Sequence, residues 1–154
     1  VTDQPRILAC DPGAAAGFAW VAEGWRDGVT ADPDAVPAGT WDEMVIEDQN
    51  LRRFIYRNGR RVPVNPKSQI TLIRTAERLL LRYPAVRQYR IQPDDWRTVL
   101  WPGSRRLPKP IVVARLRKDE PWLADATDDV VEARGILRAW LSLTAAQRKK
   151  YLVK

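Results

Sequence analysis

The sequence predicts an α/β layered domain, and three observations carry that prediction. Short apolar runs bounded by turn chemistry crowd the first 48 residues, and helix-spaced apolar positions dominate from residue 68 onward. The length of 154 residues, with 45% apolar content, suits a single domain spanning residues 1–154 with a core of its own.

Ile7 to Cys10 reads as a central strand, because an unbroken apolar run is one covered on both faces. Asp11-Pro12-Gly13 then turns the chain tightly toward a second strand, Phe18 to Val21. After the turn-rich "DGVTADPDAVP", a third short strand is expected within Val36 to Trp41, completing an antiparallel meander. Met44-Val45-Ile46 forms a fourth strand, tipped by Glu47-Asp48. Leu51 to Pro66 is expected to be irregular and basic, since two prolines bar a helix and Asn58-Gly59 marks a hairpin or loop tip. Ser68 to Arg82 sets Ile70, Ile73, Ala76, Leu79 and Leu80 at helical spacing, with Ser68 as N-cap. Arg90-Ile91-Gln92 is a candidate fifth strand, and Pro93 opens a short helix through Leu100. "WPGSRRLPKP" is a loop, Ile111 to Arg117 a short helix, and Ala126 to Leu143 the last long helix, followed by the basic tail "QRKKYLVK".

Composition removes several chemistries. There is no histidine and a single cysteine, Cys10, so Cys/His zinc sites, Ser-His-Asp triads and internal disulfides are excluded. A metal would have to be held by oxygen. No apolar run reaches the roughly 18 residues of a membrane span, and the N-terminus lacks a signal pattern, so a cytoplasmic chain with no membrane partner is expected. The formal net charge of +7 is segregated: residues 1–48 hold ten acids and two bases, whereas residues 49–154 hold nine acids and twenty-four bases. One acid-free window runs from Asn50 to Ala76 and contains Arg52, Arg53, Arg57, Arg60, Arg61, Lys67 and Arg74. A second, from Trp96 to Lys118, contains Arg97, Arg105, Arg106, Lys109, Arg115, Arg117 and Lys118. Such Arg-rich stripes with interleaved Phe54, Tyr56, Trp96 and Trp101 are the expected footprint of a nucleic-acid binder.

Carboxylates stand where burial makes them expensive: Asp11 and Glu47 at strand ends, and Asp128, Asp129 and Glu132 on the last helix. Asp128 and Glu132 share a helix face, and so do Asp129 and Glu132. Like charges so close repel, but a divalent cation reverses the sign, and two ions about 4 Å apart can use four carboxylates. Cys10 reads as a packed core residue.

"ILACDPGAAAGFAWV", "MVIEDQ" and "DDVVEARGIL", in that order, resemble the RuvC-type Holliday-junction resolvases of the RNase H-like superfamily, and "IQPDDWRTVL" is similar to a segment of their phage-encoded relatives. The resemblance implies an RNase H-like mixed sheet, with strands 1–3 antiparallel and further strands parallel to strand 1, flanked by helices. It implies a metal-dependent endodeoxyribonuclease of bacterial or phage origin that resolves four-way junctions as a homodimer, using Mg²⁺ or Mn²⁺, two ions per site. By position, Asp11 would bridge the ions, Glu47 would serve the leaving side, and Glu132 with Asp128 or Asp129 the nucleophile side. The family's three-residue spacing favours Asp129, whereas a four-residue spacing favours Asp128. The Ser68–Arg82 helix is the expected dimer interface, and Phe54 and Tyr56 are expected to stack on bases, among DNA contacts from Arg52, Arg53, Arg57, Arg60, Arg61, Lys67, Arg105, Arg106 and Lys109. The rival readings are an RNase H-like nuclease for other nucleic-acid structures and a non-catalytic DNA-binding module of the same fold. A sugar-kinase-like ATPase needs two such domains, which this length does not hold.

If the first basic window binds phosphates, replacing Arg52, Arg53, Arg57, Arg60 and Arg61 by Ala weakens DNA binding. It also flattens log K against log salt by about 0.9 for every phosphate no longer neutralised. A salt titration of binding by fluorescence anisotropy measures the slope, and an unchanged slope means these arginines are only solvated.

Overall fold

A computed structural model describes residues 4–13, 15–22, 25–48, 54–63, 65–103 and 106–153, leaving the side chains of 25, 26 and 54–57 aside. Among the described residues, seven strands and five α-helices follow in the order β1 (Ile7–Asp11), β2 (Gly17–Ala22), β3 (Trp25–Thr30), β4 (Trp41–Glu47), β5 (Phe54–Arg57), β6 (Arg60–Pro63), α1 (Pro66–Arg82), β7 (Ala85–Ile91), α2 (Pro93–Leu100), α3 (Lys109–Asp119), α4 (Asp128–Ser142) and α5 (Ala145–Arg148). The main sheet has the order β3-β2-β1-β4-β7. Its first three strands pair antiparallel, while β4 runs parallel to β1 and β7 parallel to β4. This is the expected mixed sheet, with the first three strands antiparallel and the later strands parallel to β1.

Alternation along β1 and β4 divides the interior in two. Ile7, Ala9, Val45 and Ile91 face one layer, where Trp96 of α2, Val112 and Leu116 of α3, and Val131, Ile136 and Trp140 of α4 meet them. Leu8, Cys10, Phe18, Met44 and Ile46 face the other, against Ala76, Leu79 and Leu80 of α1. Asp11 and Glu47 continue the first alternation, so both carboxylates end parallel neighbouring strands on the α4 side.

Four expectations need correction. The third strand is Trp25–Thr30 rather than a segment of Val36–Trp41. Asp27-Gly28 reads as turn chemistry, but Gly28 pairs across from Trp20 and leaves room for its indole: a Cβ there would meet Trp20 Cζ2 at 2.2 Å. The chain instead turns at Pro33–Ala35, where the Asp32 side chain accepts from the Asp34 amide at 2.9 Å. Part of the basic segment is regular rather than irregular: β5 and β6 form a two-stranded ribbon, turning at Asn58 and Gly59 where a hairpin or loop tip was expected. The fifth strand spans Ala85–Ile91, not Arg90–Gln92, because hydrogen bonding to β4 supplies what its weak apolar pattern does not show. Finally, α1 starts at Pro66 behind Asn65, whose side chain accepts from the Lys67 amide at 3.0 Å, so Ser68 is not its cap.

The basic tail is docked. Leu152 bridges to Tyr89, the Val153 amide donates to the Gln88 carbonyl at 2.8 Å, and Arg148 reaches back to Glu43 of β4. Glu43 is buried, and Trp140 Nε1 donates to its Oε2 at 2.6 Å while Arg148 Nη1 spans both oxygens at 3.3 and 3.1 Å. The Arg148 guanidinium also donates to the Trp140 carbonyl at 2.8 Å. None of the helices among the described residues is long and apolar enough to cross a membrane.

Removing one partner of a buried ion pair leaves the other charge uncompensated. Arg148→Ala is therefore expected to lower stability by about 3 kcal/mol, with urea denaturation as the measurement. A loss within experimental error would show that the indole alone satisfies Glu43.

Candidate metal centre

Hairpin β1–β2 and helix α4 bring the acids together. Asp11 stands at the tip of β1, its Oδ1 accepting from the Gly13 amide at 3.0 Å, as an Asp-Pro-Gly turn prefers. Thr127 caps α4, its side chain accepting from the Val130 amide, and this places Asp129 and Glu132 in the first turns. Gly17 allows the approach: a Cβ there would lie 2.1 Å from the Asp129 carbonyl oxygen, so no larger residue lets β2 and α4 close up. The Ala15 amide completes the join, donating to Asp129 Oδ2 at 3.3 Å.

Oxygens of Asp11, Asp129 and Glu132 then lie within 4.8 Å of one another, and all three residues are buried. They line a cleft of about 540 Å³ together with Gly13, Glu47, Leu72, Arg97, Lys109 and Asp128. Two cations stand against the acids. Arg97 Nη2 donates to Glu132 Oε1 at 2.9 Å, and Lys109 Nζ sits 2.8 Å from Asp129 Oδ1 and 3.0 Å from Glu132 Oε2. Glu47 lies slightly apart, its Oε2 accepting from Trp96 Nε1 at 2.8 Å.

Burial pushes the Asp11 carboxyl well above its usual range, with the charge of Glu47 and a hydrogen bond with Glu132 adding to it. Burial and the Glu132 charge likewise raise Glu47 to about 7, against the opposing influence of Trp96, Arg97 and Lys109. Burial works to lower the Lys109 ammonium, but hydrogen bonds to Asp129 and Glu132 outweigh it and hold the lysine above its ordinary value. Asp11 Oδ2 is buried and has no hydrogen-bond partner among the described residues. A buried, unsatisfied carboxylate oxygen on a residue clustered with two other acids, in a set made only of hard oxygen donors, fits a divalent cation of the Mg²⁺ or Mn²⁺ class.

Of the two helix aspartates, Asp129 faces Asp11 and Glu132, while Asp128 is more than half exposed at the rim and paired with Arg117 at 3.2 Å. Asp48 lies behind the site, accepting from Gln92 Nε2 at 3.3 Å, and Cys10 is fully buried. Lys109, expected among DNA contacts, is bound into the acid cluster. Arg60, Arg61, Lys67 and Arg106 are exposed at the surface. Arg52, Arg53 and Arg105 lie outside the described residues, as do the side chains of Phe54, Tyr56 and Arg57. Sequence reasoning missed Arg97 and Trp96 as neighbours of the acids, although "PDDWR" had marked the segment that carries them.

No protein-family model matches the chain, and no curated protein sequence matches it. Among solved structures the chain is similar to that of RuvC from Thermus thermophilus, with 15% sequence identity, 87% of this chain and 92% of that chain covered, and a TM-score of 0.48.

The raised carboxyls make stability depend on pH in a definite direction. A carboxyl whose folded pKa exceeds its unfolded value binds its proton more tightly when folded, so its contribution is intact below the unfolded pKa and is lost as pH rises through the folded one. For Glu47 that window runs from 4.5 to about 7. The loss is on the order of 3 kcal/mol. In chelator, the melting temperature is expected to fall across this window by several degrees more for the native chain than for Glu47→Gln, with millimolar Mn²⁺ reversing the fall. Parallel pH profiles for the two proteins would contradict this.

Proposed function

We propose that this protein is a divalent-metal-dependent endonuclease that cuts branched DNA, with the four-way junction as substrate. One observation carries the reading: buried carboxylates from β1 and α4 converge to within 4.8 Å, and one Asp11 oxygen has no hydrogen-bond partner among the described residues. A fold stabilised for its own sake does not gather like charges in this way. The sequence resemblance and the two acid-free basic windows support a nucleic-acid substrate.

Asp11, Asp129, Glu132 and Glu47 would hold Mg²⁺, or Mn²⁺ in its place, two ions per site. When bound, such ions activate water as a nucleophile and stabilise the charge on the leaving oxygen. Arg97 and Lys109 hold the acids in place and present positive charge at the cleft, where a phosphodiester would enter. The Lys109 side chain is 45% exposed, so its ammonium can turn from carboxylate to phosphate without unpacking the core. Arg60, Arg61, Lys67 and Arg106 add surface charge for the DNA backbone. A twofold homodimer would match the symmetry of a four-way junction, and α1 offers exposed Ile70 and Leu81 for such an interface.

The test is a cleavage panel of four-way junctions, flaps, linear duplex and RNA–DNA hybrid, with Mg²⁺, Mn²⁺ or EDTA. Junction cleavage that vanishes in EDTA and returns with either ion is the expected result. Asp11→Asn keeps the turn-forming side chain but removes its charge, so it should bind junctions normally and cleave them several orders of magnitude more slowly. Preferred cutting of hybrid would move the protein to another RNase H-like specificity, and tight binding with no cleavage of any substrate would make it a DNA-binding module.

A further inference from the structure

Strand β4 carries two buried glutamates four residues apart on one face, Glu43 and Glu47, and each accepts a hydrogen bond from a fully buried tryptophan. The two carboxylates are otherwise treated differently. At Glu43 the indole of Trp140 is joined by Arg148, which spans both oxygens, so each oxygen has a protein partner. At Glu47 the described residues give one side-chain hydrogen bond, from Trp96 Nε1 to Oε2, and the residue lines the cleft.

Trp96 is also unusually well placed to act as a fixed donor. Helix α2 starts directly after β7, which pairs with β4 so that Glu47 stands beside Ile91, and Gln92 is tied to Asp48 just beyond. The indole fills a slot left by Gly135 of α4, where an added Cβ would meet its Cζ3 at 2.8 Å. The next residue, Arg97, lies over the indole and binds Glu132. One turn of α2 therefore grips the strand acid through Trp96 and the helix acid through Arg97.

We infer that Trp96 is a positioning residue for the metal centre: its indole N–H holds one oxygen of Glu47 and so presents the other to a divalent cation, a task Trp140 does not share. The inference rests on the metal-centre reading of the cleft. Partners that orient a metal ligand from behind are worth roughly 10-fold to 100-fold in metal affinity. Trp96→Phe keeps most of the ring and removes the donor, and Trp140→Phe does the same at the glutamate away from the cleft.

The experiment is Mn²⁺ binding to the DNA-free protein, followed by electron paramagnetic resonance of free Mn²⁺. Trp96→Phe is expected to raise the Mn²⁺ Kd about 10-fold. Trp140→Phe should lower the melting temperature and leave the Kd unchanged. In a Glu47→Gln background, Trp96→Phe should add nothing further to the Kd. An unchanged Kd in Trp96→Phe, or an equal rise in Trp140→Phe, overturns the inference. If Trp96→Phe does not fold, a benzothienylalanine at position 96 replaces the N–H by sulfur at nearly constant shape, and the same two outcomes decide. A native chain that binds no Mn²⁺ overturns the metal-centre reading itself, whereas native binding with an indifferent Trp96 overturns only its positioning role.

Discussion

Four carboxylates share one end of the sheet, Asp11, Glu47, Asp129 and Glu132, and among the residues that line the cleft two cations, Arg97 and Lys109, stand with them. Burying so much like charge is costly, and the elements packed around the cleft supply counter-charge against it. Arg97 comes from α2 and Lys109 from the first turn of α3, so the helices stacked on α4 bring counter-charge as well as apolar surface. Arg97 Nη1 also donates to the Leu107 carbonyl at 3.2 Å, which ties the loop before α3 to the same guanidinium that holds Glu132. Displacing that loop would disturb the charge balance of the acids, and changing the balance would loosen the loop.

How much of this was legible depended on whether a signal was local. The strand Ile7–Asp11 announces itself as an unbroken apolar run ending in an acid, and Pro93 marks the start of α2 because proline suits a first turn. Asp11 and Glu47 stand out because an acid at the tip of a buried strand has no ordinary reason to be there. The choice between Asp128 and Asp129 was not legible, since both share a helix face with Glu132, and the close approach of β2 at Gly17 singles out which one turns inward. Arg97 and Lys109 looked like members of a surface stripe. Composition counts charge but does not say which way a side chain turns. Strand β7 was hidden for a related reason: Arg87 and Arg90 dilute its pattern, and its identity comes from pairing with β4. Glu43 was the largest omission, because its partner Arg148 lies 105 residues away in a tail that reads as solvated charge.

The two ends of β4 therefore carry one chemical group under opposite rules. Glu43 is completed by the protein's own side chains, whereas burial and neighbouring negative charge raise the pKa of Glu47 and Asp11. If a lineage no longer needed the chemistry of the cleft, drift to Gln or Asn at Glu47 and Asp11 would relieve strain, while loss of Glu43 would meet resistance from folding itself. Sequences of the same fold that keep acids at both ends of the strand and those that keep only the first would thus record two histories, one in which the cleft is still under selection and one in which only the scaffold is.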